Sequence, residues 1–204
     1  MNSLPGKAVF LDRDGVINRK APDGEYIRNW SEIQFIPGAV KAVASLNCAG
    51  YKVFVVTNQR GLATLRIKMA DLFDIHSRMQ EAFAINGAVI SQIYYCPHDI
   101  SAMCTCRKPQ PGMLKRAAHE HNLDLQTSWM IGDSLTDVEA GDNAGCRTVL
   151  LASVTLSTVE LKLPKATILA EDLSSAVSQI LNLNIPGEGF VGTFNADFFH
   201  NSSS

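Results

Sequence analysis

The sequence predicts an α/β fold, with a doubly wound parallel sheet in three α/β/α layers and without a large cap domain. Two observations support this prediction. Short apolar runs alternate along the chain with segments whose apolar residues recur at helical spacing, a pattern typical of a parallel sheet covered on both faces. The segment of residues 19–37, which follows the first apolar run, is too short for a separate cap domain. We therefore expect a fairly open site.

The predicted elements follow one another in a regular order. Residues 8–11 form a short apolar run, and residues 39–49 carry apolar positions at helical spacing and end at Gly50, a common helix stop. Residues 52–57 form the next apolar run, and helical spacing returns over residues 69–83. The remaining strands are expected at 90–95, 129–131, 148–151 and 167–169, and the remaining helices at 114–121 and 137–144.

The composition is that of a globular protein and excludes several classes of function. The chain has 204 residues and a net charge of −2, so a broad basic surface for nucleic acid is not expected. No apolar stretch approaches the roughly 20 residues of a membrane helix, and residues 1–7 lack the form of a secretory signal. We expect a cytoplasmic monomer that binds neither nucleic acid nor membrane. One domain is predicted over residues 1–182, followed by a C-terminal tail over 183–204 that is either disordered or docked on a partner.

Two short acidic motifs carry most of the information about function. Asp12 and Asp14 follow the first predicted strand, and Asp133 and Asp137 follow the fourth. Because ligands bind at the carboxyl ends of strands in open α/β sheets, we expect the four side chains to converge. Four carboxylates repel one another unless a cation neutralises them, and oxygen ligands suit Mg²⁺. Asp-Gly turns after strands would explain one motif alone, but two motifs with a basic motif between them favour a site.

Together with Thr57 and a basic tripeptide, these motifs resemble the four motifs of the haloacid dehalogenase-type phosphatases. The order is Asp-x-Asp-Gly, a threonine at a strand end, a lysine, and Gly-Asp-x-x-x-Asp. The resemblance runs from about Lys7 to Leu151. The basic tripeptide is Arg107-Lys108-Pro109.

The resemblance implies a mechanism and a magnesium site. Asp12 is expected to be the nucleophile that attacks phosphorus and forms an aspartyl-phosphate. Asp14 is expected to protonate the leaving alkoxide and then to activate water. Asp12, the backbone carbonyl of Asp14 and Asp133 are expected to hold Mg²⁺. By the same resemblance this is an enzyme, a phosphoric monoester hydrolase.

Binding a phosphate dianion beside carboxylates requires positive charge and hydrogen-bond donors. Lys108 is expected to supply the charge, with Asp137 holding it in place, unless it is an ordinary surface lysine. Thr57 can donate its hydroxyl and backbone N–H to the phosphate. Asn58 and Arg60 are expected to contact substrate, although this segment could be a simple loop. We also expect Arg107 to bind sugar hydroxyls or a second phosphate through its planar guanidinium, as a substrate-binding residue.

A second cluster predicts a structural zinc site in the loop of residues 96–106. Cys96, His98, Cys104 and Cys106 supply three thiolates and one imidazole within eleven residues, the ligand set of tetrahedral Zn²⁺. The alternatives are a disulfide or packed cysteines. Because the loop leads directly into the basic tripeptide, zinc is expected to determine where that tripeptide lies.

The zinc loop narrows the resemblance to two groups of phosphatases. These are the D-glycero-D-manno-heptose 1,7-bisphosphate phosphatases and the histidinol-phosphate phosphatases. The segment from Arg107 to Met113 resembles the first group, whereas the five-residue gap between His98 and Cys104 also resembles the second. We expect Mg²⁺-dependent removal of the 7-phosphate from heptose 1,7-bisphosphate, a phosphorylated sugar. The alternatives are a histidinol-phosphate phosphatase, a broad sugar-phosphate phosphatase, or a non-enzymatic sensor that kept the pocket.

Overall fold

The chain forms one sheet of six parallel strands. The computed structural model describes residues 4–152, 163–164 and 167–183. The strands are β1 Ala8–Leu11, β2 Lys52–Asn58, β3 Gln92–Cys96, β4 Trp129–Gly132, β5 Arg147–Leu151 and β6 Thr167–Ala170. The helices are α1 Ala39–Cys48, α2 Met69–Ile85, α3 Gly112–His121, α4 Leu135–Ala144 and α5 Leu173–Asn182, with 3-10 turns at Trp30–Glu32 and Ile100–Ala102.

The strands lie in the order β3-β2-β1-β4-β5-β6, and this order places the central crevice of the sheet beside β1. Along the chain the strands run from β1 outward to β3, and the next strand, β4, pairs with the other side of β1. Phe10 of β1 lies in register with Phe54 of β2 and with Met130 of β4. Such a reversal of strand order is where open α/β sheets bind ligands, at the carboxyl ends of the strands. Residues that follow β1, β2 and β4 are therefore brought to one place.

Helices cover the sheet on both faces, which confirms the expected three layers. Successive side chains of a strand point to opposite faces, so Val9 and Leu11 pack in one core and Ala8 and Phe10 in the other. The first core includes buried residues of α1, α2 and α5, and the second includes buried residues of α3 and α4. Apart from Thr57 and Gly132, the buried residues of β1, β2 and β4 are all apolar, as expected when both faces are covered.

The observed elements differ from the predicted ones in a few places. α5 was not predicted, although Leu173, Ala176, Val177 and Ile180 lie at helical spacing and are all buried. α3 and α4 each begin two residues before the predicted position, within the usual scatter of helix ends. The sequence pattern predicts that both Cys48 and Cys146 are buried; Cys146 is buried, but Cys48, the last residue of α1, is exposed.

Two expectations concern parts of the chain that the structure tests little or not at all. The domain range 1–182 stays a prediction. The tail predicted for residues 183–204 lies outside the described residues from position 184 onward. Among the helices of the described ranges, none is both long and apolar enough to cross a membrane.

The N-terminus of α5 provides a test of this part of the fold. The Asp172 carboxylate accepts hydrogen bonds from the backbone N–H of Ser175 at 2.7 Å and from its hydroxyl at 2.8 Å. These bonds favour the ionised form and lower the pKa of Asp172. We expect Asp172→Ala to reduce the free energy of unfolding by about 1 kcal/mol at pH 7, measured by urea denaturation.

Asp172→Asn is the matched control, since an amide oxygen also caps a helix and should preserve most of the stability. Because the folded pKa is lowered, the stabilisation is present above the unfolded pKa and is lost as the pH falls through the folded one. Equal stability of Asp172→Ala and wild type at pH 7 would contradict the assigned cap.

Candidate active site

Three of the four predicted carboxylates meet at the carboxyl ends of β1 and β4. Oxygens of Asp12, Asp133 and Asp137 lie within 4.8 Å of one another. The backbone N–H of Asp12 donates to the carbonyl of Ile131 at 3.0 Å, which continues the β1–β4 ladder into the site. Gly15 turns the chain with a φ of 94°, and any side chain there would collide with Asp133. The turn after β1 therefore needs glycine for both its conformation and its space.

Lys108 lies inside this carboxylate cluster. Its ammonium is 2.9 Å from Asp12 Oδ1 and 2.5 Å from Asp137 Oδ1, and it donates to the carbonyl of Val56 at 2.9 Å. The residue is only 3% exposed, so it is not a surface lysine. Burial acts to lower the pKa of Lys108, but Asp12 and Asp137 outweigh it and the pKa is raised. The lysine is therefore charged at neutral pH.

Asp137 and Asp133 differ in how their oxygens are used. Asp137 Oδ2 accepts from the backbone N–H of Ser134 at 3.1 Å and from its hydroxyl at 2.6 Å. Since Oδ1 is paired with Lys108, both oxygens of Asp137 are occupied. Asp133 Oδ2 is 2.7 Å from the ammonium of Lys20, whereas its Oδ1 is buried without a hydrogen-bond partner among the described residues. Asp133 Oδ1 is therefore available to bind a cation, whereas both oxygens of Asp137 already have partners.

The protonation state of Asp12 depends on the positive charge nearby. Burial raises its pKa to about 7; Lys108 opposes this rise, and the charges of Asp137 and Asp14 add to it. Burial also raises the pKa of Asp133. Lys108 and Lys20 supply two positive charges against the three carboxylates of Asp12, Asp133 and Asp137. The cluster therefore fits an additional cation with a preference for oxygen ligands, such as Mg²⁺.

Asp14 is held in a separate hydrogen-bonded network. Its carboxylate accepts from Arg13 Nε at 3.1 Å and Nη2 at 2.9 Å. It also accepts from Asn18 Nδ2 at 2.9 Å and Gln59 Nε2 at 3.2 Å. Burial acts to raise the pKa of Asp14, but Arg13 and the other donors outweigh it and the pKa is lowered. Asp14 is therefore a fixed, ionised carboxylate next to the Asp12 cluster.

Arg13 and His76 support this network, and sequence reasoning missed both. Arg13 is 1% exposed, and its Nη1 lies 3.3 Å from Nε2 of His76 on α2. Because a guanidinium cannot accept a hydrogen bond, His76 must be the acceptor and neutral. Burial, reinforced by the charge of Arg13, lowers the pKa of His76 to about 3. The available signal was a histidine among the apolar positions of α2, including Leu72 and Met79.

Thr57 and Asn58 lie at the end of β2, as predicted, but their contacts differ. The hydroxyl oxygen of Thr57, a buried residue, accepts from Gln59 Nε2 at 2.9 Å. Asn58 instead binds the backbone of Lys108, donating to its carbonyl at 3.2 Å and accepting from its N–H at 3.1 Å. The peptide bond between Lys108 and Pro109 is cis. Asn58 therefore positions the lysine, and Gln59 connects Thr57 with Asp14.

A cavity of about 220 Å³ opens above this site. It lies between the loop of residues 20–27 and the residues Arg13, Asp14, Asn58 and Gln59. Of the five predicted substrate contacts, Asn58 lines this cavity, whereas Thr57, Lys108, Arg60 and Arg107 do not. Arg60 Nε is 2.6 Å from Asp99 Oδ1, and Arg107 Nη1 donates to the carbonyl of His98 at 3.4 Å.

The four predicted zinc ligands form one compact cluster. The sulfurs of Cys96, Cys104 and Cys106 and Nδ1 of His98 are separated by 3.2 to 3.6 Å across five pairs. Tetrahedral Zn²⁺ with bonds of about 2.0–2.3 Å separates its ligands by roughly 3.3–3.8 Å. A disulfide requires sulfurs about 2.05 Å apart, and the described cysteines are all free thiols. The cluster therefore fits a tetrahedral metal and not a disulfide.

The thiols of this cluster differ in pKa. Burial acts to raise the pKa of Cys104. Hydrogen bonds, of which the one from the backbone of Arg107 has the largest effect, outweigh burial and lower the pKa to about 6. Burial and the neighbouring thiols raise the pKa of Cys106 to about 12. A bound dication would favour the thiolate form of each.

The fold and the site together define a three-layer α/β protein in which a buried lysine lies within a cluster of carboxylates at the carboxyl ends of the strands. The profile of the HAD-hydrolase-like family matches residues 105–176. The chain is 38% identical over 174 residues to D-glycero-beta-D-manno-heptose-1,7-bisphosphate 7-phosphatase of Pseudomonas aeruginosa, covering 85% of this chain and 97% of the relative. It is 38% identical over 147 residues to D-glycero-alpha-D-manno-heptose-1,7-bisphosphate 7-phosphatase of Mycobacterium bovis, covering 72% and 77%.

A crystal structure of D,D-heptose 1,7-bisphosphate phosphatase from Bordetella bronchiseptica, complexed with magnesium and phosphate, superimposes with a TM-score of 0.80. The sequence identity is 36%, and the match covers 87% of this chain and 99% of that one. The chain therefore belongs to the HAD-like hydrolases, in the family of these bisphosphate phosphatases. The expected fold class, family and phosphatase class are confirmed, whereas the roles of individual residues stay predictions.

The neutral state of buried His76 has a measurable consequence for stability. Its pKa is about 3 in the folded protein and about 6.5 in an unfolded chain. Between these values the unfolded state binds the additional proton, so stability falls as the pH is lowered. We expect His76→Gln, which keeps an acceptor for Arg13 but does not titrate, to reduce this dependence by up to about 1.4 kcal/mol per pH unit below pH 6.5.

The measurement is urea denaturation at pH 7.5, 6.0 and 5.0. His119→Gln is the matched control, because His119 is exposed on α3. If His76→Gln and His119→Gln show the same pH dependence as wild type, His76 is not a neutral buried acceptor.

Proposed function

We propose that this protein is a Mg²⁺-dependent phosphatase that removes the 7-phosphate of D-glycero-D-manno-heptose 1,7-bisphosphate through an aspartyl-phosphate on Asp12. One observation carries the proposal. The ion pair of Asp12 with buried Lys108, beside Asp133, lies in a chain that spans 97% of a relative named for this activity. The names of the relatives include both anomers, so the proposal covers the sugar without choosing between them. The monomeric state and the cytoplasmic location expected from the sequence stay predictions.

The proposed first step is attack of the Asp12 carboxylate on the phosphorus of the 7-phosphate. The bond between phosphorus and the sugar oxygen breaks, and Asp14 donates a proton to the leaving alkoxide. The phosphate dianion beside Asp14 raises the pKa of that carboxyl by its charge, which opposes the effect of Arg13. Asp14 then takes a proton from water, which attacks the aspartyl-phosphate and releases inorganic phosphate and free Asp12.

The positive charge of the site has two proposed sources. Lys108, held by Asp137 and Asn58, contacts the transferred phosphate, with Thr57 as an additional donor. Asp12, Asp133 and the backbone carbonyl of Asp14 would hold Mg²⁺, which when bound offsets the charge that develops on the phosphate oxygens. The unpartnered Oδ1 of Asp133 and the raised pKa of Asp12 support this assignment.

We further propose that Cys96, His98, Cys104 and Cys106 bind one structural Zn²⁺. The separations of their ligand atoms support this assignment, and among the described residues the cluster contains the four ligands that tetrahedral zinc requires. The loop continues from Cys106 into Arg107 and Lys108, and the N–H of Gly112 donates to the carbonyl of Thr105 at 3.0 Å. Zinc would therefore keep the lysine at its position between Asp12 and Asp137.

The activity of the proposed nucleophile can be tested directly. Asp12→Asn keeps the shape of the side chain but removes the attacking oxyanion, so kcat should fall by about three orders of magnitude or more. Phosphate release is measured with heptose 1,7-bisphosphate, histidinol phosphate and p-nitrophenyl phosphate, with and without EDTA. Asp142→Asn is the control, because Asp142 is exposed on α4, and its rates should equal those of wild type.

Two results would contradict the proposal in different ways. Near-normal turnover by Asp12→Asn, or by EDTA-treated enzyme, would exclude the mechanism. Hydrolysis of histidinol phosphate at least about tenfold more efficiently than the bisphosphate would retain the mechanism and replace the substrate.

The zinc assignment predicts a defined metal content. Purified protein should contain about one equivalent of zinc, and Cys104→Ser should lower both the zinc content and kcat, because Lys108 loses its support. Metal content is measured by elemental analysis after dialysis. Cys48→Ser is the matched control, since Cys48 is an exposed thiol on α1. Equal zinc content in the two variants would refute the assignment.

A further inference from the structure

A second cavity adjoins the one above Asp14. It has a volume of about 250 Å³ and is lined by Gly24, Tyr26, Arg60, Thr64 and Arg66. Gly24 and Tyr26 also line the catalytic cavity. The two cavities therefore adjoin each other at Gly24 and Tyr26. We call this pair of cavities the cleft; Asp14 lines one of them, and Arg60 and Arg66 line the other.

The segment that carries the two arginines is a preformed loop. The backbone N–H groups of Arg66 and Ile67 donate to the carbonyl of Gly61 at 2.8 and 3.0 Å. The hydroxyl of Thr64 donates to the carbonyl of Arg60 at 3.3 Å. A Cβ at Gly61 would lie 2.6 Å from Cδ1 of Ile67 and 3.0 Å from the ring of Tyr26. The loop backbone is thus packed closely against the wall that the two cavities share.

The charges at this end of the cleft are unbalanced. Arg60 is hydrogen-bonded and ion-paired to Asp99, which raises its pKa, and Tyr26 contributes to a smaller extent. Asp99 therefore orients Arg60 and offsets one of the two arginine charges. Arg66 is exposed and forms no ion pair within the described part of the chain. The two guanidinium groups line the second cavity together with Gly24, Tyr26 and Thr64, so the described lining of that cavity is positively charged, whereas Asp23 and Glu25 line the first cavity.

We infer that Arg66 and Arg60 bind the phosphate of the bisphosphate that is not transferred, with the sugar lying along Tyr26. This inference rests on the proposed function. While the 7-phosphate lies against Lys108, the 1-phosphate is at the other end of the seven-carbon sugar and needs cations outside the carboxylate cluster. A guanidinium binds phosphate oxygens through two parallel hydrogen bonds. Arg107, the residue that the sequence favoured for this contact, instead bonds to His98 within the zinc loop.

The test compares Arg66→Ala, Arg60→Ala, Arg66→Lys and Arg107→Ala on two substrates. Heptose 1,7-bisphosphate carries the second phosphate, and p-nitrophenyl phosphate does not. We expect Arg66→Ala and Arg60→Ala to lower the ratio of kcat/KM for the bisphosphate to kcat/KM for the monoester by at least about tenfold, mainly through KM. Arg66→Lys, which keeps the charge but not the planar fork, should lose less. Arg78→Ala is the control, because Arg78 is exposed on α2 and paired with Asp74.

Titration calorimetry with the product, heptose 1-phosphate, provides an independent measurement, since this ligand carries only the second phosphate. Its Kd should rise at least about tenfold in Arg66→Ala. Equal losses on both substrates, or a change of the ratio in Arg107→Ala but not in Arg66→Ala, would overturn the inference while leaving the proposed function intact. Failure of the wild-type enzyme to hydrolyse the bisphosphate would instead overturn the proposed function.

Discussion

The ion pair of Lys108 with the buried carboxylates of Asp12 and Asp137 is the interaction on which the rest of the site depends. The lysine is only 3% exposed, so removal of its charge would leave carboxylates unpaired in a region of low dielectric, at a cost of about 3–5 kcal/mol. The same ammonium bonds to the carbonyl of Val56 in β2. One charge therefore connects the ends of β1 and β2 with the first turn of α4.

Two parts of the chain hold Lys108 there, and neither contacts the acids directly. Asn58, at the end of β2, pairs with the N–H and carbonyl of the lysine backbone, and the Cys/His cluster ends two residues before the lysine, at Cys106. Asp14 has its own support in Arg13, which contacts His76 on α2. Asp12, the proposed nucleophile, is thus positioned mainly by Lys108, and Asp14, the proposed acid/base group, mainly by Arg13.

Local patterns in the sequence were sufficient to predict the fold class, all six strand positions within two residues, and the three carboxylates and the lysine that converge in the site. β1 could be bounded because its apolar run ends at Asp12, and the Cys/His spacing already specified a possible metal cluster. α5 could have been predicted in the same way, from the cap residue Asp172 and the apolar spacing that follows it. These features depend on neighbours in the sequence, so they can be recognised there.

What the sequence by itself determined was which chemical groups lie at the strand ends; only the tertiary structure decided which of them contact one another. It paired Asn58 with the backbone of Lys108, Lys20 with Asp133, and Arg60 with Asp99. It also placed Arg66 in the lining of a cavity that adjoins the cavity above Asp14. The partners in these pairs are separated by 39 residues or more, and their contacts follow from strand order and helix packing. No periodic pattern in the chain encodes such contacts, because each depends on where two distant segments are brought by the core between them.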